Sequence, residues 1–248
     1  LPNYRDIFDP KNKNNAESIF EIQYLGSQAA LASNFMYQFA PTRSGSNVTG
    51  DPGTALTLNA GWNTPTTDLI NTYEPGDVRK AASLNLGYTS NGVFVNAPHV
   101  IKYNHGFVNR GSTDDNFPVY RYADALLLIA ECLNEIGGLN GESLDILDQV
   151  RARAGLPKVN RATITSQGML RQVIEKERRV ELAFENHRWY DLVRTGRAVE
   201  VMNAHGIQEK NLKPTVIRAS AFNVTTRNLL LPIPQQDVTV DNLEQNPQ

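Results

Sequence analysis

Cysteine is nearly absent: Cys132 stands alone in 248 residues, so no disulfide framework forms within the chain. No apolar run reaches the roughly 20 residues that a membrane-spanning helix needs. Neither sign of charge dominates, with 24 basic against 26 acidic residues and a net charge of −2. That removes the electrostatic case for nucleic acid or an anionic membrane surface as partner. The glycines at 45, 50 and 53 have neither a preceding strand nor a following Lys-Ser or Lys-Thr, so no phosphate loop is present. No Gly-x-Ser-x-Gly elbow occurs. His99 and His105 lack acidic or cysteine partners at ligand spacing, so no metal site is expected, and no cofactor is implied. The chain lacks an initiator Met and a signal peptide with an apolar core, and Leu1 is expected to be an internal start.

Forty per cent hydrophobic residues suffice for a core. The most informative stretch runs from Glu175 to Arg197, EKERRVELAFENHRWYDLVRTGR. Leu170, Val173, Ile174, Val180 and Phe184 recur at helical spacing and make one apolar stripe. Glu177 and Glu181 fall in that stripe. A carboxylate turned inward needs a cationic partner, or it costs several kcal/mol (roughly). Cations are close in sequence: Arg178, Arg179, Arg188 and Arg194, with Arg151 and Arg153 on the preceding helix. Two readings follow. One is a buried lattice of ion pairs built from Glu177, Arg178, Arg179, Glu181, Asp191 and Arg194. The other is a carboxylate pair doing acid–base chemistry.

Along the chain, Glu17 to Tyr24 alternates as a strand does. Residues 25–60 are loop-like in composition, with Phe35, Tyr37 and Phe39 alternating. A short helix is expected from a cap at Thr67 or Asp68 through Tyr73. Strand-like runs follow at Ala82–Leu86 and Val93–Val95. From Arg121 the pattern turns helical, with a stripe of Leu126, Ile129, Ala130, Leu133 and Ile136 and a stop at Gly137–Gly138. Cys132 lies near that face and is expected to be a small buried hydrophobe. Asn140 can cap a second helix with the stripe Leu144, Leu147, Val150 and Ala154. Arg121 to Ala154 is 34 residues, the tetratricopeptide period. Thr165 or Ser166 caps the long helix, and a further short helix covers Ala198 to Asn203. Beyond His205, Pro232, Pro234 and Pro247 are expected to exclude helix, with Leu229 to Ile233 an extended strap.

Four ordered stretches carry a family resemblance: GWNTPTTDLINTYEPGDVRK from Gly61, FPVYRYADALLLIAECLNEIG from Phe117, the Glu177–Gly196 motif, and LLLPIPQQDVTVDNLEQNPQ from Leu229. Within them Asp77 and Arg79 match a family Asp-x-Arg. Together they resemble the SusD/RagB family of outer-membrane nutrient-binding lipoproteins, over nearly the whole chain. The resemblance implies a mainly α, helical-repeat (tetratricopeptide-like) α-α superhelix scaffold with long loops and a few short β-strands. The chain would be the C-terminal portion: a loop-rich ligand side over 1–116, a helical core over 117–205 and an extended strap over 206–248. The implied function is a non-catalytic cell-surface subunit that binds a nutrient, most often an oligosaccharide, and delivers it to a TonB-dependent outer-membrane transporter. Attachment to the outer membrane would run through a lipid anchor on the missing N-terminus. A glycoside-processing enzyme and a protein-binding helical-repeat adaptor are the alternatives.

A sugar site is read from composition. Aromatic faces suit the C–H faces of sugar rings, and Asn, Asp and Arg serve hydroxyls. Trp62, Tyr37, Phe39, Tyr73 and Tyr103 are the loop aromatics. The expected platform is Trp62 with Tyr37 or Phe39, and its polar partners are Arg43, Asn47 and Asn63.

Overall fold

A computed structural model of the chain describes residues 1–53, 59–139 and 141–246. The expected cap at Asn140 and the stop at Pro247 lie outside them. In chain order the elements are β1 (Ser18–Ile22), α1 (Phe35–Phe39), α2 (Ser46–Thr49), α3 (Thr67–Thr72), α4 (Val78–Ser83), β2 (Leu84–Ser90), β3 (Val93–Val100), β4 (Phe117–Arg121), α5 (Tyr122–Gly137), α6 (Gly141–Arg153), α7 (Gln167–Glu181), α8 (Arg188–Arg194), α9 (Ala198–Leu212) and α10 (Gln235–Val240). The fold is mainly α, a tetratricopeptide-like scaffold, with two two-stranded antiparallel sheets, β1–β4 and β2–β3. No helix among the described residues is long and apolar enough to cross a membrane. The chain divides into two compact units, Leu1–Glu185 and Asn186–Gln248.

The first unit is centred on α5, α6 and α7. Leu127 and Ala130 of α5 meet Leu144, Leu147 and Val150 of α6 and Leu170 and Ile174 of α7. The α5–α6 turn breaks where Gly138 takes φ 68°, a backbone region open to glycine. Ser166 caps α7 by accepting from the Met169 amide. The α7 helix ends at Glu181, so Phe184 lies beyond it, at φ 67°.

The stripe expected on α5 is corrected. Its buried residues are Ala123, Asp124, Leu127, Ala130 and Asn134. Ile129 is exposed, Ile136 is 88% exposed, and Cys132 is exposed rather than buried. The helix is apolar on two faces. Hydrophobic periodicity finds both, but α6 and α7 cover only one.

A second apolar cluster of the unit lies beside α4 and β4, and a third joins Tyr73, Leu84 and Val180. Tyr4, Ile7, Phe8, Val100 and Tyr103 are buried in the second, with Phe35, Phe39 and Phe117 packed against them. Phe35 belongs to α1, a turn of helix where the alternating aromatics had pointed to loop. β2 and β3 form one hairpin closed by Asn91 and Gly92, both at positive φ (49° and 77°). That pair is the residue choice favoured in a two-residue hairpin turn.

In the second unit α9 runs on to Leu212, nine residues past the expected end. Asn203 brackets the returning chain: its amide donates to the Val224 carbonyl at 2.8 Å and its carbonyl accepts from the Val224 amide at 2.9 Å. The tail also contains helix. Pro234 stands at the N-cap of α10, where proline's missing N–H costs nothing.

Candidate functional site

The base of the site is a chain of buried charges. Glu177 and Glu181 do face inward, and cations from distant segments meet them. Arg79 holds Glu177 at 2.6 Å and Glu181 at 3.0 Å, and grips Asp77 through two further nitrogens. Arg121 reaches Glu181 and Glu185, each at 2.6 Å. Arg153 joins Glu181 to Glu17. Arg151 bridges Glu177, at 3.2 Å, and Glu74, at 2.9 Å. Lys102 spends its three protons on Tyr4 Oη, the Ala183 carbonyl and Glu185.

The titration follows from these contacts. Burial alone would raise the Glu181 carboxyl, but Arg121, Arg153 and Arg79 hold it well below the usual carboxylate range. Glu185 is likewise desolvated and held low by Arg121 and Lys102. Hydrogen bonds from Arg151 bring Glu74 down to about 2. Burial pushes the Lys102 amine down. These oxygens are saturated by fixed guanidinium and ammonium donors, which suits holding segments together rather than moving a proton.

The other expected pairs lie outside this chain of charges, with Arg178 and Asp124 still buried. Arg178 meets Asp124 at 2.9 Å, and Arg179 leaves α7 for Asp68 of α3. Within the second unit Arg194 and Asp191 pair at 2.8 Å. Sequence reasoning missed Arg121 and Lys102, which carry no local pattern, and Glu185 was visible only as a letter of the Glu177–Gly196 motif. Arg79 was visible only as a motif letter.

On this base stands an aromatic cluster, and on the cluster a loop face. Lys102 leads directly into Tyr103, which stacks on Phe117 and packs against Phe35 and Phe39. Phe35 and Phe39 are one turn of α1. Three successive amides, of Ala60, Gly61 and Trp62, then bond the Tyr37, Ala40 and Gln38 carbonyls of that turn. These are the orphan acceptors of a helix end, so the irregular segment carrying Trp62 is the cap of α1. Trp62 itself is 60% exposed. Gly61, at φ 65°, brings this segment against Thr42, a hypothetical Cβ there lying 3.2 Å from the Thr42 amide nitrogen. Arg43 follows Thr42, and Asn63 follows Trp62. Both are exposed and both hold a left-handed backbone, φ 66° and 52°. Loops fixed to a rigid scaffold in this way are where binding residues sit.

The platform partners are corrected. Tyr37 is 3% exposed and its hydroxyl donates to Asp51 at 2.8 Å. Phe39 is half-buried in the aromatic cluster, and Tyr73 and Tyr103 are buried. The helical turn of α1 is what rotates Tyr37 and Phe39 inward, whereas Tyr73 packs with Leu84 and Val180. Asn47 is exposed, but its amide is already used on the Ser44 carbonyl and Ser90 Oγ. Trp62, Arg43 and Asn63 are left exposed on two backbone segments that meet at Thr42 and Gly61. Asp51, which accepts from Tyr37, Gly53 and Gly111, ties this loop to the loop at 104–113.

Comparison with known proteins agrees along most of the chain. The SusD family pattern matches residues 65–248. SusD-like protein P2 of Formosa agariphila is 30% identical over 235 residues, 84% of this chain and 45% of that protein. Among solved structures, a laminarin-binding SusD-like protein is 28% identical with a TM-score of 0.69, covering 100% of this chain and 53% of its own. A SusD superfamily protein from Parabacteroides distasonis is 26% identical with a TM-score of 0.75, covering 99% and 53%. The chain thus spans about half the length of the proteins it matches.

Proposed function

Because the chain belongs to the SusD family, we propose that it is part of a non-catalytic, cell-surface subunit that captures an oligosaccharide and hands it to a TonB-dependent outer-membrane transporter. The whole protein would be held at the outer membrane by a lipid anchor. The observation that carries this reading is the loop face. Trp62 lies open on a segment bonded at three successive amides to the α1 turn, with exposed Asn63 next in the chain and exposed Arg43 on the neighbouring segment. An exposed indole among polar groups offers a sugar ring a stacking surface and its hydroxyls hydrogen-bond partners. A similar protein is described as laminarin-binding, which favours a glycan over a peptide.

The buried charges favour binding over chemistry. A glycosidase needs two carboxyls roughly 5–10 Å apart across an open cleft. Glu177, Glu181 and Glu185 are buried and engaged by cations. The test is calorimetric titration of the native polypeptide against a glycan panel, with a product assay on each glycan bound. Binding without turnover is expected. Turnover would make the protein an enzyme, and no binding to any glycan would leave a protein-binding adaptor. Delivery is tested separately, by co-purification with a TonB-dependent transporter from detergent-solubilised outer membranes.

A further inference from the structure

The loop face carries exposed charge of one sign. Across the chain 26 of 248 residues are acidic. In 41–53, 59–63 and 85–113, the described segments around the face, Asp51 is the sole acid. It is buried, and its carboxylate accepts from the Tyr37 hydroxyl and from the Gly53 and Gly111 amides. Lys102 is buried as well. What these segments present to solvent as formal charge is Arg43 and Arg110, both exposed. Neither forms an ion pair among the described residues.

The two arginines are placed by the same scaffold. Arg43 sits beside the Trp62 segment through the Thr42–Gly61 contact. Arg110 lies on the other side of Tyr37, whose carbonyl holds Ala60 and whose hydroxyl lies 3.1 Å from the Gly111 amide. A Cβ at Gly53 would stand 2.7 Å from Arg110 Cδ and Cζ. Glycine there lets the guanidinium lie against the loop backbone.

We infer that the glycan taken by this face is acidic, its anionic groups (uronate carboxylates or sulfate esters) meeting Arg43 and Arg110 while a ring stacks on Trp62. This rests on the glycan-binding reading above. A guanidinium fork matches carboxylate and sulfate geometry with paired hydrogen bonds. The lack of exposed acids removes the like-charge contacts that would reject a polyanion. It also removes carboxylate acceptors, the strongest partners available for the hydroxyls of a neutral sugar.

The experiment titrates the native polypeptide with matched pairs. Oligogalacturonate and oligoalginate are set against their carboxyl-reduced forms, and carrageenan oligosaccharides against their desulfated forms. Laminari-, cello- and xylo-oligosaccharides serve as neutral controls. One acidic member is expected to bind more tightly than its neutral partner, and to weaken as salt rises. Arg43→Gln and Arg110→Gln should each lower that affinity about tenfold and lower it by more than they lower affinity for the neutral partner, with the melting temperature as the folding control. The carboxylated and sulfated arms identify which anionic group is read. Neutral members binding as well as acidic ones, or only neutral controls binding, would overturn the inference while leaving glycan capture intact. No glycan binding at all would overturn both. Arginine variants with wild-type affinity for the acidic ligand would overturn the assignment of Arg43 and Arg110.

Discussion

Arg79 and Glu177 stand 98 residues apart in the chain and 2.6 Å apart in the fold, and the same guanidinium nitrogen reaches Glu181 at 3.0 Å. Removing Glu177 takes an acceptor from both Arg79 and Arg151, which then keep only Asp77, Glu181 and Glu74, and an under-compensated buried charge is worse than replacing both partners. Glu177→Ala is expected to destabilise by about 3 kcal/mol, read as a fall in urea midpoint with unchanged slope. The double change Arg79→Met, Glu177→Leu is expected to cost less than Arg79→Met alone. An unchanged midpoint for Glu177→Ala would mean that the pair contributes nothing to stability.

The same network sets an acid limit. Glu181, Glu185, Glu17 and Glu74 all have depressed folded values, Glu74 at about 2. An unfolded glutamate titrates near about 4.3. Stability from these groups is therefore complete above that value and is lost as pH falls through the folded ones. Glu177 acts in the opposite sense, since burial pushes its carboxyl up, but it is one group against four. The melting temperature is expected to hold down to about pH 6.5, to ease as burial keeps His99 from taking a proton in the fold, and to drop steeply below about pH 4. A melting temperature that rises towards pH 3 would contradict an ionised lattice.

Gly87 on β2 is a position where any side chain meets backbone. A Cβ there would strike the Val95 carbonyl oxygen and stand 2.6 Å from the Phe94 ring. The register slips between Asn85 and Gly87, the irregularity that a strand glycine often marks. Gly87→Ala should cost roughly 1–3 kcal/mol by thermal melt. Gly92→Asn at the hairpin turn, with nothing within 4 Å of a Cβ, should cost less. Equal effects would argue that packing at Gly87 is not the cause.

How far the sequence was legible depends on the range of the signal. Ser166, Gly138 and the apolar positions of α6 and α7 are local, and periodicity and capping find them. Glu177 and Glu181 are legible as anomalies in a stripe, whereas Arg79, Arg121 and Lys102 pair over 60 to 102 residues with no local signature. The loop aromatics divide for the same reason. Trp62 reads as exposed from its polar neighbours and is exposed. Tyr37 has similar neighbours, but it falls on the inner side of a helical turn that Asn34 to Ala40 give little hint of. The two strand-like runs at Ala82–Leu86 and Val93–Val95 were read as separate, and the Asn91–Gly92 pair that joins them as a hairpin went unused.

The outer face of α5 has a physical consequence for the isolated chain. Tyr122, Ile129 and Ile136 are spaced by seven, with Leu126 and Leu133 between, the pattern of a helix that seats a second helix. Tyr122, Ile129 and Ile136 are exposed, and repeat units bury such faces only against a neighbour. The 248-residue chain alone is expected to be unstable or to self-associate. Ile129→Glu with Ile136→Glu should reduce association in sedimentation without lowering the melting temperature. A monomeric wild-type chain with a sharp melt at about 45–65 °C would count against this.

Trp62 provides the sharpest test of the loop face. Its backbone amide is bound to the Gln38 carbonyl at 2.9 Å, whereas its side chain is 60% exposed and outside every apolar cluster. Truncating the ring therefore removes little from the core, and stability should change by no more than about 0.5 kcal/mol. Binding should respond differently. A stacked aromatic contributes on the order of 1–3 kcal/mol by analogy with base stacking, so Trp62→Ala should weaken the bound glycan by roughly tenfold to a hundredfold. Trp62→Phe retains a flat face and should recover part of the loss. Tyr37→Phe is the contrasting variant. It leaves Trp62 in place but removes the hydroxyl that holds Asp51, so it should lower the melting temperature while changing affinity less than Trp62→Ala does. Affinity and melting temperature are measured on the same preparations. A Trp62→Ala protein that keeps its affinity and loses melting temperature would make the indole a packing residue, and the recognition surface would have to be sought elsewhere on the loops.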